Sequence, residues 1–558
     1  MGVTWLAETE LRIGLGCMRL STDEDRDEQR ALDTIGAAVD AGITIFDTAH
    51  AYGRGENELG HNERLLARAL RGRSEGARIV TKGGMARTGG RWVPDGRAKA
   101  LRRDCEASLA ALDGLPIDLY LIHAPDPRTP WRTSLRALAR VADEGLVRRV
   151  GVANVNRTQL EEALELAPVA AVQVALSIHD DRALRGGVLE LCSERGIALI
   201  AHSPLGGPRR AGGLARRGTT AELALAWLLA LSPLVVAIPG ARRPETARSA
   251  ARAAGLALTA QELGAVGESP RPRRAAVTAD GEVVVVMGIP GAGKGRLAGD
   301  YVERGYVRLN RDERGGSLKE LAAALDAELA SGARRVVLDN TYLTRASRSY
   351  VLDAAAAHGL AARCVWIDTP LAQAQVNMVE RLLDRFGSLP SPEELRAHAR
   401  AEAGLLLPTS QMRGLRELEP PTPGEGWTSM DRVPFTRAPR PGATRAGVFV
   451  AAAALGKPGW TTDPSAPHLV FDWRPGESDA VIEEVVARLA TEVEGPVAAA
   501  VCPHPGGPPA CWCRPPLPGL PLVFARAHAI DPARSLLVGT GPAHRTLAAA
   551  LGGGFTLV

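Results

Sequence analysis

Lysine and cysteine are both scarce in this chain of 558 residues. Only five of the 67 basic residues are lysines, so arginine serves wherever any cation suffices, and a lysine hints at a need for a compact charge. Seven cysteines fit a reducing cytoplasm better than an oxidising compartment. Three of them nevertheless crowd into residues 502–513, which marks that stretch for closer reading.

Long apolar runs are absent as well. No stretch of 18 apolar residues occurs, and no apolar run follows a basic start at the N-terminus, so neither a membrane span nor a signal peptide is indicated. We therefore expect a cytoplasmic protein with no membrane partner. The net charge is only +4, so bulk charge does not indicate nucleic-acid binding, and only a local basic face could.

The length predicts several domains, because one domain usually takes roughly 100–200 residues. Hydrophobic residues make up 45% of the chain, which is ordinary for globular proteins and supports sizeable cores. Two segments rich in proline and arginine, 266–281 and 420–446, predict linkers. They divide the chain into predicted domains at 1–265, 282–419 and 447–558.

The first predicted domain alternates short apolar runs with helical patterns. Eight such repeats predict an α/β fold, the (β/α)8 TIM barrel, whose chemistry belongs at the C-terminal ends of the strands. The predicted strands are 11–16, 43–48, 78–83, 118–124, 147–154, 169–176, 197–204 and 234–240.

Four residues near the ends of the second, third and fourth predicted strands form a chemical set: Asp47, Tyr52, Lys82 and His123. Tyr52 could give a proton to a carbonyl oxygen if its pKa were lowered from about 10, and a neighbouring Lys82 cation would lower it. Asp47 would hold that lysine, and His123 would orient the substrate oxygen. A single such residue is usually structural, but four compatible ones favour a catalytic site.

The segments "FDTAHAYG", "IVTKGG" and "LYLIHAPD" resemble the aldo-keto reductases, and the resemblance covers residues 1–265. It implies that the four residues above are the catalytic tetrad and that the cofactor is NADPH. The residues that it implies for cofactor binding are Asn154 and Gln173 on the nicotinamide amide, His202 stacked on its ring, "SPLGG" with Ser203 and Leu205 along the pyrophosphate, and Arg242 and Arg243 on the 2′-phosphate. His202 stands where the family often has a tyrosine.

The second predicted domain opens on "VVVVMGIPGAGKG", a buried-strand pattern followed by a glycine-rich turn and a helical pattern. This context fits a phosphate-binding P-loop, in which the backbone around Gly288, Gly291 and Gly293 cradles phosphates and Lys294 bridges the β- and γ-phosphates. The residue after the lysine is Gly295, where a serine or threonine would normally hold Mg²⁺. We expect ATP with Mg²⁺, with nucleotide binding favoured over efficient turnover.

Two further segments, "GYVRLNRDERGG" and "RRVVLDNTYLTRASRSYV", each end a predicted strand in polar residues. Together with the P-loop they resemble the kinase domain of polynucleotide 5′-hydroxyl kinases, over about residues 282–415. The resemblance implies Asp312 as the base that activates the 5′-hydroxyl of RNA or DNA ends, and Arg381 or Arg385 as lid arginine. Kinases of small molecules share the same loop and strands, and that alternative stays open.

The third predicted domain carries the spacing C-x-H-x6-C-x-C in Cys502, His504, Cys511 and Cys513. Three thiolates and one imidazole are a closed tetrahedral set, which is typical of structural Zn²⁺. The flanking sequence resembles haloacid-dehalogenase (HAD)-type phosphatases. Alanines at 451 and 453 stand where that family has two aspartates, so the resemblance implies a small HAD-like α/β domain without catalysis.

The sequence thus favours an NADPH-dependent reductase of a carbonyl substrate joined to an ATP-dependent kinase of 5′-hydroxyl ends, as in nucleic-acid repair. A second interpretation makes the P-loop and the zinc cluster a module for regulation or assembly. A third makes the P-loop domain a kinase for a small metabolite.

Overall fold

The computed structural model describes residues 5–558 apart from 8, 208–209, 211–213, 215–218, 267–276, 279, 403, 438–439 and 462. Most of the linker predicted at 266–281 therefore lies outside the described residues. The chain forms two compact units, one built on an N-terminal barrel and the other on two further sheets. Among the described helices, none combines the length and the apolar character that a membrane crossing requires.

Eight parallel strands form the barrel of the first unit, each hydrogen-bonded to the next. A bridge between Ile13 and Ala237 joins the first strand to the last, so the predicted barrel is confirmed. The chain also contains a hairpin, β4 with β5, that was not predicted. The strands are β1 (Gly14–Gly16), β2 (Ile45–Asp47), β3 (Arg78–Gly83), β4 (Met85–Thr88), β5 (Arg91–Pro94), β6 (Ile117–Ile122), β7 (Val150–Ala153), β8 (Val169–Ala175), β9 (Ala198–His202) and β10 (Val235–Ile238).

Helices cover the outside of the barrel because each presents a buried apolar face to the strands. A second, smaller cluster fills the barrel interior with side chains such as Val80, Leu121 and Ile200. The described helices are α1 (Met18–Thr22), α2 (Glu28–Asp40), α3 (His61–Ala69), α4 (Ala98–Ala111), α5 (Trp131–Asp143), α6 (Arg157–Leu166), α7 (Arg182–Arg185), α8 (Val188–Arg195), α9 (Ala221–Leu231), α10 (Pro244–Ala253) and α11 (Ala260–Val266).

The first sheet of the second unit is parallel and has the strand order β12-β13-β11-β14-β15. Its strands are β11 (Glu282–Met287), β12 (Val307–Leu309), β13 (Arg335–Asp339), β14 (Ala361–Asp368) and β15 (Ser429–Pro434). The edge strand β15 lies inside the segment predicted as a linker, so this part of the prediction differs from the structure. Its sequence, SMDRVP, contains only two apolar residues before the final proline, so it forms no apolar run, and this composition suits an edge strand.

The last sheet is also parallel, with the order β18-β17-β16-β19-β20. Its strands are β16 (Val448–Ala451), β17 (His468–Trp473), β18 (Val497–Cys502), β19 (Leu536–Gly539) and β20 (Gly554–Leu557). The described helices of the second unit are α12 (Lys294–Glu303), α13 (Arg311–Arg314), α14 (Leu318–Ala330), α15 (Arg345–Ala357), α16 (Leu371–Phe386), α17 (Pro392–Ala401), α18 (Pro408–Glu417), α19 (Glu483–Glu492), α20 (Gly519–Ala527) and α21 (Pro542–Leu551).

Helix α16 belongs to the cores of both sheets. Its Ala374 packs among the valines of β11, while Val379 and Leu382 pack in one buried cluster with Phe449 and Phe471 of the last sheet. Polar contacts tie the same regions together, since Gln373 Nε2 donates to the carbonyl oxygen of Ala550 at 3.0 Å. The predicted domains 282–419 and 447–558 therefore share an apolar interface within one unit.

Candidate active sites and metal cluster

The strand ends of the barrel bring the four predicted catalytic side chains together. Asp47 ends β2, Lys82 lies in β3, His123 directly follows β6, and Tyr52 lies in the loop after β2. Lys82 is 1% exposed, and its Nζ lies 2.8 Å from each carboxylate oxygen of Asp47. The same Nζ lies 3.2 Å from the hydroxyl oxygen of Tyr52. The ring of His123 meets that of Tyr52 edge-on, with centroids 5.7 Å apart.

Burial decides the protonation of this site. It raises the pKa of Tyr52 above its ordinary value, while the Lys82 cation acts in the opposite direction and is outweighed. The lowered pKa expected from the sequence is therefore wrong in direction: Tyr52 stays a phenol at neutral pH. Burial would also lower the pKa of Lys82, but Asp47 and Tyr52 raise it, so the lysine stays charged.

The pKa of His123 lies well below its ordinary value because the ring is buried and because Lys82 is near. A neutral imidazole can donate one N–H to a substrate oxygen without competing for the proton of Tyr52. The arrangement thus offers a phenol and an imidazole N–H beside a fixed cation. Such a set can protonate a carbonyl oxygen.

The residues predicted to hold a nicotinamide differ in their placement. Gln173 is 2% exposed and its Nε2 donates to Asp47 at 2.6 Å, so it supports the ion pair from inside the barrel. Asn154 Nδ2 donates to the carbonyl oxygen of His123 at 2.9 Å, and Asn154 Oδ1 lies 3.0 Å from Nε2 of His202. Burial lowers the pKa of His202 to about 4, so this ring is neutral.

Trp92 is a site residue that the sequence reasoning missed. It lies on β5 of the unpredicted hairpin, 40% exposed, with its ring centroid 5.9 Å from that of Tyr52 and 6.2 Å from that of His123. The guanidinium of Arg87 covers its face at 4.0 Å. The hairpin that carries Trp92 could have been predicted from the sequence, because Gly89 and Gly90 form a two-residue turn of the kind that closes hairpins.

The remaining predicted cofactor residues lie after β9 and β10. Ser203 has a left-handed backbone, its hydroxyl lies 3.2 Å from Nδ1 of His202, and Leu205 is half-buried nearby in the chain. Arg242 pairs with Asp23 and Asp25, which neutralise it. Arg243 is exposed at the N-cap of α10, where free backbone N–H groups favour an anion.

A cavity of about 580 Å³ opens at the C-terminal ends of β11, β12 and β13. The strand order reverses at β11, which is where open parallel sheets bind ligands. The residues that line the cavity include five predicted for the phosphate-binding and kinase site: Gly291, Gly293, Lys294, Asp312 and Arg381. Gly288 precedes them in the turn that leaves β11, with a positive φ of 155°.

The glycine-rich turn packs too closely for larger residues. Gly291 has a φ of 85°, and a Cβ there would meet the carbonyl oxygen of Ala374 at 2.5 Å. Lys294 opens α12 and its Nζ donates to the carbonyl oxygens of Gly288 and Ile289 at 3.1 and 3.0 Å. Burial lowers the pKa of Lys294 to about 8, so a phosphate anion would stabilise its charged form.

The two predicted lid arginines separate in the structure. Arg381 lines the cavity and donates to the carbonyl oxygen of Gly404 at 3.0 Å. Arg385 is not among the described lining residues; its side chain is 61% exposed and pairs with Glu402. Arg311, the neighbour of Asp312 in the chain, also lines the cavity, as do Arg308 and Arg413, which the sequence reasoning did not single out.

The residues beside the P-loop do not fit the expected magnesium site. Position 295 offers no hydroxyl, and Asp339, the carboxylate at the end of β13, is buried and already paired. The Nε and Nη2 of Arg308 donate to its two oxygens at 3.1 and 2.8 Å, and Asn310 Nδ2 donates to Oδ1 at 2.8 Å. Of the two usual protein ligands of a P-loop Mg²⁺, the hydroxyl is therefore absent, and the carboxylate is engaged by Arg308 and Asn310.

The four predicted metal ligands converge, with all their ligand atoms within 4.8 Å of one another. The Sγ of Cys502 lies 3.7 Å from that of Cys511, 3.3 Å from that of Cys513 and 3.5 Å from Nδ1 of His504. Around one tetrahedral Zn²⁺, sulfur atoms lie about 3.8 Å apart and a sulfur lies about 3.5 Å from a ring nitrogen. The cluster fits a zinc ion.

The last sheet offers little chemistry at its own point of reversal, between β16 and β19. The turn after β16 is formed by Ala452–Ala454, so no carboxylate follows this strand. After β19, the backbone N–H of Thr540 donates to Nδ1 of His544 at 3.1 Å. Burial lowers the pKa of His544, so this ring is neutral. Neither of these two turns therefore carries a carboxylate that could act as the nucleophile of a phosphatase.

Comparison with known proteins finds matches for two separate parts of the chain. Residues 12–216 match the model of the Aldo/keto reductase family, and residues 283–403 match that of an AAA domain. An uncharacterized oxidoreductase C215.11c of Schizosaccharomyces pombe is 32% identical over 274 residues, which are 46% of this chain and 86% of that protein.

Two further relatives match the same half. The probable aldo-keto reductase 1 of Glycine max is 32% identical over 273 residues, 41% of this chain and 76% of that protein. A solved aldo-keto reductase from Klebsiella pneumoniae, in complex with NADPH, is 25% identical with a TM-score of 0.38, covering 46% of this chain and 89% of the other.

Proposed function

Since the chain belongs to the aldo/keto reductase family through its barrel, we propose that this oxidoreductase reduces a small-molecule carbonyl with NADPH and uses Tyr52 as its proton donor. The observation that carries the proposal is the contact of Tyr52 with a buried, charged Lys82. NADPH, when bound, supplies the hydride that reaches the carbonyl carbon.

The protein residues handle the proton and the substrate oxygen. The neutral His123 donates an N–H to the carbonyl oxygen and holds it beside the hydroxyl of Tyr52. As charge develops on that oxygen, Tyr52 transfers its proton, and the Lys82 cation stabilises the phenolate that remains. Asp47, itself held by Gln173, keeps Lys82 in place. Trp92 covers the site and excludes water from it.

The barrel offers groups that fit NADPH. Asn154 and the neutral His202 lie beside the catalytic residues, where a nicotinamide would bind, and the left-handed Ser203 opens the segment "SPLGG" for a pyrophosphate. The exposed Arg243 at the N-terminus of α10 suits a 2′-phosphate. Arg242, which pairs with Asp23 and Asp25, would contribute less.

For the second unit we propose nucleotide binding at the P-loop and phosphorylation of a 5′-hydroxyl end of RNA or DNA. This is favoured by a cavity that holds Lys294 for the phosphates, Asp312 for the acceptor hydroxyl and Arg381 for the transferring group. The carboxylate of Asp312 is partly exposed, so an acceptor from solution can reach it. The Arg385 alternative for the lid is the weaker one, because this residue pairs with Glu402 instead.

For the C-terminal sheet we propose a HAD-like scaffold closed by one structural Zn²⁺. The tetrahedral spacing of Cys502, His504, Cys511 and Cys513 supports the metal, and the alanines after β16 support the absence of phosphatase activity. Zinc would fix the loop that follows β18.

Replacing Tyr52 with phenylalanine should lower the turnover of carbonyl reduction by at least ~100-fold, because the proton donor is lost. NADPH affinity should change by less than about twofold, since the hydroxyl faces the substrate. NADPH oxidation with a panel of aldehydes and fluorescence titration of the cofactor measure the two effects. Tyr306→Phe, in the other unit, is the matched control. A Tyr52→Phe protein with wild-type turnover would refute the assignment.

Replacing Arg243 with alanine should weaken NADPH binding by about tenfold and leave NADH binding nearly unchanged, because only NADPH carries the 2′-phosphate. Arg248→Ala, exposed on the same helix, is the control and should affect neither cofactor. Cofactor fluorescence reports both affinities. Equal affinities of the wild-type protein for NADPH and NADH would contradict the proposal.

Replacing Asp312 with asparagine should reduce phosphate transfer to a 5′-hydroxyl oligonucleotide by at least ~100-fold while leaving ATP affinity intact, because the base acts on the acceptor. The assay follows labelled γ-phosphate on RNA and DNA oligomers in magnesium buffer. Asp326→Asn, an exposed carboxylate of α14, is the control. A wild-type protein that binds ATP but labels neither oligomer would favour the regulatory module or the metabolite kinase.

Protein purified without chelators should contain about one zinc ion per chain, and Cys511→Ser should lower this content because a tetrahedral ligand is lost. Elemental analysis measures the metal. Cys105→Ser, in the barrel, should leave zinc content unchanged. A wild-type protein free of zinc would show that the cluster is a set of reduced thiols.

A further inference from the structure

An arginine side chain lies beside the P-loop. It contacts the strand-end carboxylate that normally helps to hold a divalent ion. Arg308 extends from β12 across the end of β13, and its guanidinium binds both oxygens of Asp339. A Cβ placed on Gly295 would lie 3.8 Å from Oδ2 of Asp339 and 4.0 Å from Nη2 of Arg308. The guanidinium thus lies beside the carboxylate, and both groups are at a similar distance from the position where the hydroxyl is missing.

The glycine at position 295 and the arginine at position 308 are consistent with each other. Mg²⁺ needs oxygen ligands at about 2.0–2.1 Å in octahedral geometry, and a P-loop supplies them from a hydroxyl and a strand-end carboxylate. In this chain Gly295 offers no hydroxyl, and the carboxylate of Asp339 takes part in an ion pair with Arg308. A guanidinium carries a permanent charge and matches carboxylate and phosphate oxygens in two-pronged geometry.

From this geometry we propose that the P-loop site binds nucleotide phosphates without a divalent metal, and that Arg308 contacts a phosphate through the Nη1 that now pairs with the exposed Glu313. The inference rests on the nucleotide binding proposed above and specifies how the phosphates are neutralised. Asp339 acts as a positioning residue: it holds the guanidinium over the loop instead of holding a metal.

The charges around Arg308 are compatible with this role. Its Nη1 also pairs with Glu313 at 2.7 Å, but the side chain of Glu313 is 59% exposed, so a phosphate can replace it. Lys294 and Arg381 line the same cavity, so three cationic side chains border the space where phosphates would bind. The adjoining Arg413 adds a fourth, which offsets the carboxylates of the lining.

Calorimetric titration of the full-length protein with ATP tests the proposal without any mutation. Two titrations at equal ionic strength are compared, one with excess EDTA and one with Mg²⁺. We expect the two dissociation constants to agree within about threefold, since the protein offers no metal ligand set. Lys294→Met should abolish binding in both buffers, which assigns the heat to the P-loop.

Variants of Arg308 then test whether the guanidinium can be removed and Mg²⁺ bound in its place. Arg308→Gln should weaken ATP binding in EDTA by at least ~10-fold, as expected for loss of a charge-assisted contact. The double variant with Gly295→Ser and Arg308→Gln frees Asp339 and adds a hydroxyl, so its ATP affinity should become at least ~10-fold higher with Mg²⁺ than with EDTA. Arg314→Gln, which pairs with Glu328 away from the cavity lining, is the matched control.

The outcomes separate this inference from the proposal beneath it. ATP binding by the wild-type protein in Mg²⁺ but not in EDTA would overturn the metal-free site and leave nucleotide binding standing. An absence of binding in both buffers would overturn nucleotide binding, and this inference with it. Circular dichroism checks that the Arg308 variants fold; if they do not, the two wild-type titrations decide the matter alone.

Discussion

The strands of all three large sheets run parallel, and this constraint fixes where side chains can meet. Consecutive parallel strands end at the same edge, so polar residues that follow different strands come together there, while the strand interiors must stay apolar. Asp47, Lys82 and His123 gather in this way at the mouth of the barrel. The P-loop cavity and Asp339 do so in the second unit, at the ends of β11 and β13.

Two ion pairs, one buried and one partly exposed, show how the choice of cation shapes a site. Lys82 presents a compact ammonium group, which holds both oxygens of Asp47 and still reaches the hydroxyl of Tyr52. Arg308 presents a flat fork, which engages both oxygens of Asp339. In the functions proposed above, the lysine stabilises the phenolate of a proton donor, whereas the arginine takes the place of a metal ion on the carboxylate.

The sequence predicted the barrel strands, the four barrel side chains and the convergence of the cysteine cluster, because each depends on local pattern or on the rule of strand ends. It could not predict the pairing of Arg308 with Asp339, which requires the register that sets Leu309 beside Leu338. Strand β15 escaped because a polar edge strand lacks an apolar pattern. The direction of the Tyr52 pKa was missed because burial is a tertiary property that no single segment reveals.

The position of α16 between two sheets restricts how this half of the protein can be divided. Its apolar residues complete the core of the last sheet, so a chain cut between 419 and 447 would leave this face of the helix in water and the sheet without its cover. Neither half could then be gained or lost alone during gene rearrangement without a compensating change of surface. A separation of the P-loop region from the sheet after it would therefore expose apolar surface on both pieces.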